Sequence, residues 1–150
     1  MERHDSLRSV LRRKGDAVWS IDAPASVYDA IALMSERHIG ALLVLDEEGK
    51  LAGIISERDY ARKVILKGRS SKDTEVREIM TTPVVCVTPE ATVDQGMQLM
   101  THHRIRHLPV MEGDRIVGVI SIGDLVRWTI SAQEETIHHL NSYITASYPA

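Results

Sequence analysis

The chain contains no phenylalanine, and aromatic residues make up only 4% of its 150 positions. Leu, Ile, Val and Met therefore have to fill the core. There is a single cysteine, Cys86. A lone thiol closes no internal disulfide, so a reducing cytosol is the natural compartment and a cytoplasmic protein is expected. No apolar run approaches the roughly 18 residues that a membrane span requires. The opening residues, MERHDSLRSVLRRKGD, are charged and lack the apolar stretch of a secretory signal. Neither sign of charge dominates: 18 Lys and Arg stand against 21 Asp and Glu, a net charge of −3. That balance argues against a surface coated for nucleic acid. What is present is ordinary for a globular protein, 43% hydrophobic and 26% charged. The length suits one domain, or two small units sharing a core.

The chain repeats itself. GIISERD at 53–59 returns as GVISIGD at 118–124. Extending the match lays residues 23–63 over 89–128, with one extra residue in the first turn. Each copy reads alike. A short apolar strand (17–21; 84–87) precedes a helix capped by Ser26 or Thr92. That helix carries Val27, Ile31 and Met34 on one face, matched by Val93, Met97 and Met100. A buried strand (ALLVL; HLPVM), a hairpin turn (DEEGK; EGDR) and a second strand (LAGIIS; IVGVIS) follow. A last helix opens near Ser56 or Ser121, with Asp59 or Asp124 in its first turn.

The expected architecture is α/β, two β-α-β-β-α units paired by pseudo-twofold symmetry. One unit of about 60 residues buries little surface alone, whereas two can cover each other's sheets. The expected boundaries are an N-terminal helical segment (1–16, with Leu7, Val10 and Leu11 apolar), repeat 1 (17–66), a polar linker (67–83, helical near 76–80), repeat 2 (84–129) and a C-terminal helix (130–150). Ile137, Leu140 and Ile144 give that last helix an apolar stripe which something must cover.

The doubled units, their G-h-h-S-x-x-D endings (h, apolar) and the RHLPV before the second hairpin resemble a tandem cystathionine-β-synthase (CBS) domain pair, a Bateman module. The likeness spans roughly residues 17–128 and leaves nothing over for an attached enzyme, so a stand-alone pair is expected. It implies an adenine nucleotide as ligand, AMP first, with ADP, ATP, NAD(H) and S-adenosylmethionine as alternatives. It also implies homodimers formed through helices.

An aspartate in a first helical turn can simply complement the helix dipole, for about 0.3–1 kcal/mol. It can equally accept both hydroxyls of a ribose diol, while a serine hydroxyl and free N–H groups at a helix start can bind phosphate. The resemblance implies the ribose role for Asp59 and Asp124, with Ser56 and Ser121 beside them, in clefts shared between repeats. Site one would join Ser56, Arg58 and Asp59 to Thr82, Pro83, Val84, Ile105, Arg106 and His107. Site two would join Ser121 and Asp124 to Ser20, Ile21, Ile39, Gly40 and Ala41. Arg58, Arg106 and His107 equip site one for a phosphate. Site two has Gly123 in place of Arg58, and Gly40 and Ala41 in place of Arg106 and His107, so it should lose most of that clamp.

Other clusters are blander. His102, His103 and His107 have no carboxylate or cysteine at ligand spacing, so no metal is expected. His138 and His139 read as a solvated face. Cys86 falls in a strand expected to be buried. No P-loop, dinucleotide fingerprint or nucleophile with a partnered base is present. The expected function is a nucleotide-sensing regulatory module rather than an enzyme, signalling to a downstream effector. The alternative is a structural dimerisation module with empty clefts.

Overall fold

The computed structural model describes residues 5–15 and 17–147, except for the side chains of residues 139 and 142–147. It opens with α1 (Leu7–Lys14), capped by the Ser6 hydroxyl, which accepts from the Ser9 N–H at 3.3 Å. Repeat 1 follows as β1 (Ser20–Asp22), α2 (Val27–Arg37), β2 (Ala41–Leu45), β3 (Leu51–Ser56) and α3 (Glu57–Tyr60), which runs on as a π-helical turn (Ala61–Ile65). After α4 (Val76–Ile79) comes repeat 2: α5 (Val93–His103), β4 (His107–Glu112), β5 (Arg115–Ser121) and α6 (Ile122–Ser147). Ser26 and Thr92 cap α2 and α5 as their sequence positions require. The same two helices end alike, on His38 and Arg104, both left-handed at φ 55°.

In repeat 1, β1 runs parallel to β2 with Ile21 opposite Val44, and β2 pairs antiparallel with β3. In repeat 2 the expected strand at 84–87 shrinks to a single parallel bridge between Val87 and Val110. The reason is one missing donor. Leu43 N–H bonds Trp19 O at 3.2 Å in the first sheet. Its counterpart in repeat 2 is Pro109, which has no N–H to give. Only Val87 N–H to Pro109 O (3.0 Å) and Met111 N–H to Val87 O (2.8 Å) remain. The segment still alternates: Val85 and Val87 turn to the core, and Cys86 between them is exposed rather than buried as expected.

Two apolar cores form, and each borrows a helix from outside its repeat. Val76 and Ile79 of α4 enter the core of repeat 1, with Val27, Met34, Val44 and Ile55. Leu7, Val10 and Leu11 of α1 enter the core of repeat 2, with Val93, Met100, Leu108 and Leu125. The docking is symmetrical. Leu7 N–H bonds Ala91 O and Val93 N–H bonds Asp5 O, at 2.8 and 2.9 Å. Val76 N–H to Ala25 O and Val27 N–H to Thr74 O, both 2.8 Å, are the same contacts in repeat 1. Both repeated glycines are explained by this docking. A Cβ on Gly53 would come within 2.5 Å of Met80 Sδ, and one on Gly118 within 2.6 Å of Leu11 Cδ2.

The last helix of repeat 2 and the expected C-terminal helix are one element. No glycine or proline occurs between Trp128 and Ser147, and α6 runs for 26 residues, about 39 Å at 1.5 Å per residue. Leu125 is fully buried, whereas Val126, Ile130, Ile137 and Leu140 are 42–57% exposed. Among the described residues no helix is long and apolar enough to cross a membrane.

Candidate functional site

The repeated S-x-x-D motif builds the same device twice. Ser56 ends β3 and caps α3: its hydroxyl accepts from Asp59 N–H at 3.2 Å, and Ser56 N–H donates to Asp59 Oδ2 at 2.9 Å. Ser121 and Asp124 repeat both bonds, at 3.1 and 2.8 Å. This reciprocal capping fixes each carboxylate at a helix start and buries it, leaving Asp59 9% and Asp124 8% exposed.

Neither carboxylate is short of donors. Asp59 also accepts from Ser56 Oγ at 3.1 Å and Thr81 Oγ1 at 3.1 Å, and it pairs with Lys63 Nζ at 3.0 Å. Asp124 pairs with Lys14 Nζ at 2.6 Å and Arg127 Nη2 at 2.8 Å. Burial pushes the Asp124 carboxyl upward, but the bonds from Lys14 and Ser121 outweigh it and hold the group below the usual carboxylate range.

Three of the residues assigned to site one lie together. Arg58 donates from Nη1 to Arg104 O at 3.0 Å, tying repeat 1 to the loop after α5. Arg58, Ile105 and Arg106 line one shallow cavity of about 240 Å³ with Met100, Thr101, Arg104 and Ile122. Three arginines and no carboxylate share that lining, an arrangement suited to an anion. Asp59 is not in the lining. Its cross-chain partner is Thr81, next to Thr82 and Pro83, which are exposed, and to Val84, which is half-buried.

His107 lies elsewhere. Its ring is 3.6 Å from where a Gly40 Cβ would sit, its backbone pairs with Ser121, and the charges acting on it are Lys14, Asp124 and Arg106. These neighbours group it with Gly40, Ser121 and Asp124. Of the other residues assigned to site two, Ser20 and Ile21 lie in β1, opposite Leu43 and Val44, and Ala41 pairs with Ser56. Ile39 packs against the core of repeat 1.

The expected loss of most of the clamp around Asp124 took no account of Lys14 and Arg127, which pair with it. A second cavity of about 270 Å³ is lined by Val10, Arg13, Lys14, Asp124, Arg127, Trp128 and Ser131. Lys14 and Arg13 were invisible to a comparison of the copies because they precede the repeated region, whereas Arg127 stands where Arg62 stands in the first copy. Arg127 and Lys63 did carry a signal, three and four residues after their aspartates. Lys14, Thr81 and Arg104 carried none. His102 and His103 are exposed, and among the described residues no group of three or more His, Cys, Asp or Glu side chains could hold a metal.

Burial, Lys14 and Arg106 together outweigh Asp124 and push the His107 imidazole below its ordinary value. Folded His107 thus holds a proton less tightly than unfolded His107. The unfolded state binds more protons just below the unfolded value of about 6.5, so stability should fall as pH drops through that window. Asp124 adds a further loss in stronger acid, below about 3.9. Urea midpoints from pH 7 to 5 should decline in the wild type and stay flatter in His107→Gln. An equal decline in both would show that another group titrates.

The doubled α-β-β-α units, each completed by a helix from outside its repeat, and their doubled S-x-x-D caps define a tandem-repeat module. The sequence model of the CBS domain matches residues 7–66 and 76–131. The chain belongs to the CBS-domain family. It is 44% identical to the mitochondrial CBS domain-containing protein CBSX3 of Arabidopsis thaliana, over 95% of this chain and 73% of that protein. A CBS-domain protein of proposed signal-transduction function from Burkholderia ambifaria superposes with a TM-score of 0.82 at 49% identity, covering 85% of this chain and 96% of its own. A hexameric CBS-CP12 protein from bloom-forming cyanobacteria gives 0.73 at 30% identity, covering 95% and 87%.

Proposed function

We propose that this CBS pair binds an adenine nucleotide, AMP foremost, between its repeats and acts as a sensor that regulates an effector protein. The observation that carries this reading is the convergence of Arg58, Arg104 and Arg106 on one cavity without an acid, beside α3, whose first turn holds Asp59. A phosphate suits the arginines, a ribose diol suits the carboxylate, and Met100, Ile105 and Ile122 offer an apolar wall for a base. ADP, ATP, NAD(H) and S-adenosylmethionine share the adenosine and are the alternative ligands.

A ligand held only by the folded state at about a hundred times its Kd adds roughly 2.7 kcal/mol. For a chain of this size that is a melting-temperature rise of about 5–10 °C. AMP should produce such a rise and GMP little. Mass spectrometry of small molecules released from freshly purified protein should find the same nucleotide. A flat response to every adenine compound, with nothing released, would sink the proposal. It would support a structural module instead, a reading favoured by the full set of protein donors already on both carboxylates.

The module is proposed to work as a homodimer. The exposed Val126, Ile130, Ile137 and Leu140 are spaced by four, seven and three residues, the seam of a helix that pairs with another helix. Light scattering at micromolar concentration should exceed the 16.8 kDa of one chain, and Leu140→Glu should shift it toward the monomer. Association unchanged by Leu140→Glu would place the interface away from this stripe, for instance at the exposed Ile65 and Leu66.

A further inference from the structure

The two aspartates are held by different kinds of partner. In repeat 1, Thr81 N–H bonds Ile54 O at 2.8 Å and Thr81 Oγ1 bonds Asp59 Oδ1 at 3.1 Å. The counterparts of those acceptors in repeat 2 are Val119 O and Asp124, and both are met by a single group. Lys14 Nζ donates to Val119 O at 2.6 Å and to Asp124 Oδ2 at 2.6 Å. One ammonium takes over the bonds that the backbone and hydroxyl of Thr81 make in the other repeat.

The substitution changes what can move. Thr81 is locked by a two-way backbone bridge, since Ile54 N–H also donates to Thr81 O at 3.1 Å. Its hydroxyl sits on a short side chain of that anchored backbone, so it can move from Asp59 no farther than one χ1 turn carries it. Lys14 is the last residue of α1, and its side chain is 34% exposed against 7% for Asp124. Leu7, Val10 and Leu11 anchor the helix, so the ammonium can swing away while α1 stays docked.

The charges decide what can replace it. Lys14, Arg13 and Arg127 line the same cavity, with Asp124 as its one carboxylate. A neutral diol that takes over the carboxylate leaves the Lys14 ammonium beside two guanidinium groups with no anion to meet. A ligand that brings its own phosphate gives the displaced ammonium a partner.

We infer that Lys14 is the selectivity-determining residue of the Asp124 site, holding the carboxylate in the free protein and passing to the ligand's phosphate on binding. The site therefore takes a nucleotide and rejects the bare nucleoside. This inference rests on the nucleotide-binding reading above and assigns a role to a residue outside the repeated motif.

Calorimetry with AMP and adenosine tests it on the full chain, with Asp59→Ala and Arg58→Ala both present to weaken the other cleft and remove its phosphate contact. In that background AMP should bind at least about tenfold more tightly than adenosine. Adding Lys14→Met should bring the two affinities within about twofold, adenosine improving as AMP weakens. Lys14→Arg should keep the preference for AMP, and it serves as the decisive variant should Lys14→Met fail to melt cooperatively. An AMP preference unchanged by Lys14→Met, or lost in a cooperatively folded Lys14→Arg, overturns the inference while leaving nucleotide binding intact. If the wild-type chain binds no AMP at all, the nucleotide reading fails and the inference falls with it.

Discussion

Leu7→Ala should lower stability by about 2–5 kcal/mol, the range for truncating a leucine in a core that cannot collapse around the gap. Leu7 is fully buried, it belongs to the core of repeat 2, and its side chain lies against Gly96 of α5. At roughly 2–4 °C per kcal/mol, the melting temperature should fall by about 5–20 °C. Thermal unfolding followed by circular dichroism measures this. The result separates two views of the N-terminus. If residues 1–16 were an appendage, the substitution would cost a few tenths of a kcal/mol, as on any exposed helix. A melting temperature within about 2 °C of wild type would contradict the docking of α1. Val76→Ala is the matching probe of α4 in repeat 1, where Val76 is also fully buried.

Asp59→Ala should weaken AMP by about ten- to a hundredfold, because a hydrogen bond to a charged group contributes about 1.5–3 kcal/mol. Asp59 also caps α3, so the variant should be melted as well as titrated; a lost cap alone costs about 1 kcal/mol of stability. Arg58→Ala should hurt AMP more than adenosine, because only AMP offers a phosphate. Asp124→Ala should mainly remove a second, weaker event. Calorimetry on the three variants with both ligands decides the assignment. Equal losses for AMP and adenosine on Arg58→Ala would remove that arginine as the phosphate contact. Loss of the tight event on Asp124→Ala, with Asp59→Ala harmless, would show that the wrong cleft had been chosen.

The likeness of the two copies was open to reading because it rests on local rules. Ser26 and Thr92 announce helix starts, alternation in LAGIIS and IVGVIS announces strands, and serine three residues before aspartate announces a reciprocal cap. The convergence of Arg58 with Ile105 and Arg106 followed from the family resemblance, and the cavity contains all three. The strand expected at 84–87 failed for a reason that was present in the sequence but needed the register to be seen. Pro109 matters only because it stands where Leu43 stands in the other copy, opposite the strand that needs its N–H.

By itself the sequence determined the α/β repeat, its caps and turns, and the place of the two aspartates in first helical turns, since each depends on residues a few positions apart. Only the tertiary structure decided which core each flanking helix enters and what meets the carboxylates. Lys14 reaches Asp124 across 110 positions, Thr81 reaches Asp59 across 22, and His107 lies against Gly40 rather than with Arg58. These contacts follow from α1 docking on repeat 2 and α4 on repeat 1. Burial of apolar surface drives that docking without regard to direction or chain order. Leu7, Val10 and Leu11 specify an apolar helix face, and the shape of the core, with Gly118 leaving room for Leu11, selects the face it covers.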